Sequence, residues 1–267
     1  MKIYHPRAAH MNIPPQDVFY VSDDENNQLG MGYLQVSRQD SLYPDRPLRL
    51  YLCMEAEPDA RDMLFGSLMA RAYQIRDFFP GVKARVFSQV APENEQMLNF
   101  YQDSGFRADD AEDRVTLELP STPGMMPMGC RIALTPTSTE PEQQGLLQRL
   151  NDHRAVPMTK EELAEQMNRP HFLACHVMKN TGDIIGDVVL AGEGSFANVV
   201  ALYVLPAYRR MGIGKAMLHK AIYSLTNEGI QRVDAVVTRR NPAQTALVQG
   251  FQARFVSTLS FLPGKDI

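Results

Sequence analysis

The strongest constraint on this chain is that it repeats itself. With an offset of 148 positions, "MEAEPDARDMLFGSLMA" (54–70) lies under "LYVLPAYRRMGIGKAML" (202–218), pairing Pro58 with Pro206, Arg61 with Arg209, Met63 with Met211, Gly66 with Gly214 and Met69 with Met217. A period this long implies two copies of one supersecondary unit rather than a solenoid of short repeats. Between the copies, "LPSTPGMMPMG" (119–129) is dense in Pro, Gly and Ser and carries no periodicity, so it reads as a linker. The expected organisation is a first domain over 1–119, a linker over 120–129 and a second domain over 130–267.

Composition narrows the class. With 44% apolar and 22% charged residues the chain has the balance of a folded globular protein. A net charge of −4 argues against a broad nucleic-acid or anionic-membrane footprint. No stretch approaches the ~20 apolar residues of a membrane span, and "MKIYHPRAAHMNIPP" has no apolar core of signal-peptide length. Cys53, Cys130 and Cys175 are far apart, with no metal-ligand spacing, and fit buried thiols in a reducing, cytoplasmic setting.

The second copy parses readily. "CRIALTP" reads as a strand, and "EPEQQGLLQRLNDHR" (140–154) and "TKEELAEQMNR" (159–169) as helices, with Thr159 and Glu162 spaced as a capping box. "HFLACHVMK" and "IIGDVVLAG" flank the turn "NTGD" as a hairpin. Then come a long strand, "NVVALYVL"; a helix, "GIGKAMLHKAIYSLTNEG", with Ile213, Met217, Ala221 and Leu225 on one stripe; a strand, "RVDAVVTR"; a short helix, "PAQTALVQG"; and a closing strand, "FQARFVSTLSFL". The first copy follows the back of this order: a hairpin over 18–37, the strand "RLYLCMEA", a helix over 61–78, the strand "VKARVFSQV", the helix "NEQMLNFYQDSG" and a closing strand pair over 106–119. It is expected to lack the first strand and the first two helices. The fold class is α/β (α+β), two mixed, mostly antiparallel sheets flanked by helices.

The turn "YRRMGIGK" carries the chemistry. Glycine at a helix start costs backbone entropy, so its presence implies that something approaches the backbone closely. A Gly-rich strand-to-helix turn leaves several amides pointing one way at the positive end of a helix, a cradle for phosphate. Arg209, Arg210 and Lys215 add charge there. Two familiar phosphate motifs do not fit. The dinucleotide fingerprint needs a third glycine where Met217 stands, and the ATP-type loop needs Gly at Arg209 and Ser or Thr at Ala216.

What the stretch does resemble is the R/Q-x-x-G-x-G/A signature of the GCN5-related N-acetyltransferases, with Arg209, Gly212 and Gly214 at its fixed positions. The element order, and "NP" opening a helix that ends at "GF" (Asn241 to Phe251), extend the resemblance over nearly all of the second copy and most of the first. It implies acetyl-CoA as co-substrate and no metal. It further implies that backbone from Arg210 through Met211, Gly212, Ile213 and Gly214 to Lys215 holds the pyrophosphate. Leu202, Tyr203 and Val204 would line the pantetheine arm on a splayed strand, and Asn241 would contact the cofactor. The reaction implied is direct transfer of an acetyl group to an amine of a small molecule or peptide in a ternary complex. Mycothiol synthase has a similar two-copy arrangement.

The copies depart from the family's pattern in opposite ways. In the first, "NEQMLNFYQDSGF" keeps the last motif, but Leu64 and Asp62 stand in the phosphate loop, so a degenerate domain is expected, with Leu64 intruding on the cradle. In the second, Ala246 stands where a tyrosine often protonates the departing thiolate, which leaves Tyr203 and Tyr223 as nearby phenols. Glu193 is the carboxylate favoured as general base, ahead of His176. The missing tyrosine also fits a non-catalytic acyl-CoA sensor or scaffold. The chain is expected to act as a monomer or homodimer; the acceptor and the acyl preference are not legible.

Overall fold

In a computed structural model of the chain, residues 1–10, 13–38, 40, 43–153 and 158–267 are described. The elements in the first half are β1 (Lys2–Tyr4), β2 (Val18–Ser22), β3 (Gln28–Arg38), β4 (Leu48–Ala56), α1 (Pro58–Asp77), β5 (Ala84–Phe87), α2 (Glu95–Asp103) and β6 (Ala111–Leu117). The second half holds β7 (Cys130–Leu134), α3 (Glu140–Asn151), α4 (Lys160–Met167), β8 (Leu173–Lys179), β9 (Ile184–Glu193), β10 (Phe196–Val204), α5 (Ile213–Thr226), β11 (Arg232–Thr238), α6 (Pro242–Gln249), β12 (Arg254–Phe261) and β13 (Gly264–Asp266). The expected end of the helix over 140–154, Arg154, lies outside the described residues. Both sheets are mixed, with orders β1-β2-β3-β4-β5-β13 and β12-β6-β11-β10-β9-β8-β7.

The chain divides into two compact units that are discontinuous in sequence. One is Met1–Glu112 with Thr238–Pro242 and Thr258–Ile267; the other is Asp113–Val237 with Ala243–Ser257. The first unit's core packs α1, through Ala60, Leu64, Leu68 and Ala72, on Leu34, Leu50 and Leu52 of the sheet. Gly32 makes this approach possible: a Cβ there would lie 2.7 Å from Leu68 Cδ1. The second unit has two cores on opposite faces of its sheet. α5 buries Ile213, Met217, Ala221 and Leu225, the expected stripe, against Val188, Leu190, Ala197 and Val233. α3 and α4 bury Leu146, Leu150 and Leu163 on Ala174 and Val189 of the other face. Both of those helices start with a capping box, Thr139 with Glu142 and Thr159 with Glu162.

Two expectations are corrected, and one strand is new. The first copy does have a first strand: β1 pairs antiparallel with β2, Lys2↔Ser22 to Tyr4↔Tyr20. The region 106–119 holds one strand, β6, instead of a pair, and β6 joins the second sheet. The sixth strand of the first sheet comes from the far end of the chain, β13, antiparallel to β5. A three-residue strand opened by Gly264 and preceded by proline has no periodicity to betray it.

Candidate active site

The glycine turn forms as a break between two helical segments. Pro206–Tyr208 make a single 3-10 turn, and α5 starts only at Ile213. Between them Arg210 (φ 60°) and Gly212 (φ 76°) are both left-handed. For arginine that conformation costs on the order of 1 kcal/mol and tends to persist where function requires it. Its effect is to turn the backbone amides outward. Ala216 is the first amide to find a helical carbonyl, that of Gly212 at 3.0 Å; those from Arg210 to Lys215 have no acceptor among the described residues. A Cβ on Gly212 would meet nothing within 4 Å, and one on Gly214 only Val204 Cγ2 at 3.5 Å. The space the glycines leave is therefore open and faces the positive end of α5.

The flanking side chains divide their roles. Arg209 donates from Nε to the Val204 carbonyl at 2.8 Å, bracing the turn against the end of β10, and its burial depresses its pKa. The Lys215 stem lies by Gly250, where a Cβ would come within 3.4 Å of its Cδ and Cε. Met211 is exposed, whereas Ile213 is buried in the α5 core and can offer only backbone to a ligand.

β10 leads away from this turn and parts from its parallel neighbour. The β10–β11 ladder runs only from Phe196↔Arg232 to Asn198↔Asp234, although β10 continues to Val204 and stays paired with β9 to Val204↔Gly186. Leu202, Tyr203 and Val204 thus lie on the free arm of a V whose closed end is Asn198/Asp234. The first unit has the same geometry: β4 pairs with β5 only from Leu48↔Ala84 to Tyr51↔Phe87, while β4 runs on to Ala56.

Tyr203 heads a buried polar network. Its hydroxyl donates to Asp187 Oδ2 at 2.5 Å. Asp187, fully buried on β9, also takes Arg149 Nε and Nη2 at 3.0 Å each. The His153 ring lies 4.2 Å from that of Tyr203. Burial, then the Asp187 carboxylate, push the Tyr203 phenol far above its ordinary pKa. Its proton is committed to Asp187, a poor arrangement for a proton donor. Asp187 was missed in the sequence, although a lone aspartate inside the apolar run "IIGDVVLAG" is a visible signal, as is Asp234 inside "RVDAVVTR".

The remaining candidates fall elsewhere. Glu193 ends β9 at the hairpin tip, exposed and opposite Phe196, at the other end of β10 from the glycine turn. His176 is buried, bonded through Nδ1 to Thr135 Oγ1 at 3.0 Å, with its pKa depressed by burial, a satisfied strand histidine. Asn241 is buried in the segment Thr238–Pro242 that packs with the first unit, its N–H donating to the Thr238 carbonyl at 2.9 Å. Ala246 lies on α6.

The first unit has no such turn, for a reason other than the one expected. Leu64 does not intrude on a cradle; α1 begins at Pro58, so Leu64 is already in its second turn and fully buried in the core. The stretch that forms the open turn in the second unit is continuous helix here, with its amides bonded internally. Glu57 and Asp59 at the helix start further disfavour an anion.

Residues 138–251 match the family model described as the acetyltransferase (GNAT) family. No curated protein matches the chain. Among solved structures, a GCN5-related N-acetyltransferase from Sphaerobacter thermophilus is 14% identical, with 96% of this chain and 82% of that one covered and a TM-score of 0.52. A probable N-acyltransferase from Enterococcus faecalis V583 is 13% identical over 93% of this chain, which spans 61% of that protein's length, with a TM-score of 0.58. At these identities the likeness is one of fold. The splayed β10 and the open glycine turn at α5 both lie within the residues that match the acetyltransferase (GNAT) family model.

Proposed function

We propose that the second unit binds acetyl-CoA and transfers its acetyl group directly to an amine of a small molecule or peptide. The observation that carries this reading is the row of acceptor-free amides from Arg210 to Lys215, at the positive end of α5 and beside the free arm of β10. A diphosphate would replace the missing acceptors, and the open space at Gly212 lets it approach. When bound, acetyl-CoA supplies the activated thioester. Leu202, Tyr203 and Val204 would hold its pantetheine arm by backbone groups on the open side of β10, with an amide there polarising the carbonyl. Arg209 acts by holding the turn to β10, and Arg210 and Lys215 by their charge.

The first unit is proposed as a degenerate copy, because its corresponding amides are closed within α1. Titration calorimetry should give one CoA per chain; two equivalent sites would overturn that assignment.

The proton steps make separate predictions. With its hydroxyl turned to Asp187, Tyr203 serves to hold β10, so Tyr203→Phe should leave the alkaline limb of the pH–rate profile in place. Loss of that limb would make Tyr203 the acid. Glu193 remains the proposed base, acting through water because it stands at the hairpin tip beyond the closed end of the V. Glu193→Gln should then lower the rate by ~10² or more with CoA affinity intact. A wild-type rate would leave proton removal to solvent.

A further inference from the structure

We infer that the acceptor carries an anionic group, and that Arg232, Arg114 and Arg254 receive it on the face of the second sheet turned away from α5. This rests on the acetyl-transfer reading above and adds the class of substrate.

The inference starts from which surface is open beside the closed end of the V. The α5 face is filled there by Val115, Leu117, Ala197, Val233 and Ala235. On the opposite face, α3 and α4 cover the sheet over β8, β9 and β10, packing against Ala174, Val189 and Tyr203. Alternation along β11 and β6 turns Arg232, Asp234, Val236, Arg114 and Thr116 to that opposite face. There Val236 stays 48% exposed. An acceptor can reach Asn198/Asp234 over this strip.

The strip presents a built cation. Asp234, 1% exposed, accepts Arg232 Nε on Oδ1 at 2.9 Å, Arg232 Nη2 on Oδ2 at 2.7 Å and the Thr116 hydroxyl at 2.6 Å. Burial alone would raise this carboxyl, but Arg232 and Thr116 hold its pKa below the ordinary value, so the charge is kept. The Arg232 guanidinium also lies over the Phe196 ring, 5.5 Å from its centroid. Two anchors therefore fix its plane and leave the Nη1 donors unused, the fork that suits a carboxylate or phosphate oxygen. Arg114 stands close enough to act on Asp234, and the alternation that puts Ala253 toward the α5 core turns Arg254 to the same side as Arg114. Arg114 and Arg254 are exposed and make no ion pair among the described residues. Arg232 and Arg114 thus act on one buried aspartate, Arg254 lies on the same face two strands away, and Glu193, across β10, bonds to none of them.

Position argues that this charge is not for the cofactor's phosphates. Arg232 pairs with Phe196, eight residues from Val204 and the glycine turn, or about 26 Å at strand rise. The closed end of the V, Asn198↔Asp234, is only two residues away, about 7 Å. An anion held by Arg232 would sit beside the reacting end of the site.

The test is calorimetric titration of CoA-loaded protein with glutarate, inorganic phosphate and neutral glutaramide. At low salt, glutarate or phosphate should bind and glutaramide should not; preference between the two anions tells a carboxylate from a phosphate acceptor, and either supports the inference. Affinity should fall at least about tenfold in Arg114→Glu/Arg254→Glu and on adding 0.5 M salt. Binding of glutaramide as tightly as glutarate, wild-type anion affinity in the double variant, or no binding of either anion would overturn it. CoA titrated into the same samples reports separately on the cofactor site, and its affinity should be unchanged in the double variant.

Discussion

Gly212→Asp should cost at least about tenfold in CoA affinity. Two effects act in the same direction. The new side chain would occupy the open space in front of the acceptor-free amides, where Gly212 at φ 76° now leaves nothing within 4 Å of a Cβ. Its carboxylate would also stand against a dianion, and like charges about 4 Å apart near a protein surface repel by roughly 4 kcal/mol. Gly212→Ala is the control: it adds left-handed strain of about 1 kcal/mol without charge, so it should lower stability more than it lowers affinity. Calorimetry decides between them. An aspartate variant that binds CoA like the wild type would remove the turn from the cofactor site altogether.

The second large effect concerns stability. Gly264 opens β13 directly against a buried guanidinium: a Cβ there would lie 2.6 Å from Arg85 Nε and 2.8 Å from its Cζ. Arg85, 2% exposed, cannot withdraw easily, because Nη1 bonds Asp266 at 3.1 Å and Nη2 bonds Asp109. Gly264→Val should therefore push β13 off β5 and break the paired bonds between Gly264 and Arg107 (2.8 and 2.9 Å) and that from Ile267 N to Ala84 O (3.0 Å). Overpacking costs about 1–3 kcal/mol and each of the three lost backbone bonds about 1 kcal/mol, so a loss of about 5 kcal/mol and a fall in Tm of about 15 °C are expected. A wild-type unfolding temperature would show that β13 is dispensable to the first unit.

The same strand gives a pH dependence. Burial raises the Asp266 carboxyl, but Arg46 and Arg85 outweigh it and hold the pKa below the ordinary value. The stabilisation is therefore complete above about pH 4, the unfolded carboxylate's pKa, and fades as pH falls through the lower folded value. Hydrogen exchange along β5 should speed up in that acid range. Exchange insensitive to pH after correction for intrinsic rates would dissociate Asp266 from β13.

Much of this was legible because it is local. The stripe of Ile213, Met217, Ala221 and Leu225 shows in a 3.6-residue period and is buried as expected. The turn at Gly182 (φ 93°) and the Thr159 box show in residue chemistry that acts within a few positions. The glycine turn was legible for the same reason: Gly212 is needed by its own backbone angle. The repeat also survives in structure, since the two sheets part their parallel strands at corresponding places, after Tyr51 in one copy and Asn198 in the other.

What the sequence determined by itself is the pair of copies, the element types of the second, and the glycine turn that opens α5. Tertiary structure alone decided where the strands went: β6 into the second sheet, and β13, from the chain's far end, beside β5. Strand pairing joins residues at any separation and leaves no period along the chain to announce its partner. It alone also assembled the polar groups. Asp187 meets Arg149 and Tyr203, and Asp234 meets Thr116, 118 residues away, only after the sheet has formed. A buried carboxylate must find its partners in space, because burial without them costs more than any local preference can offset.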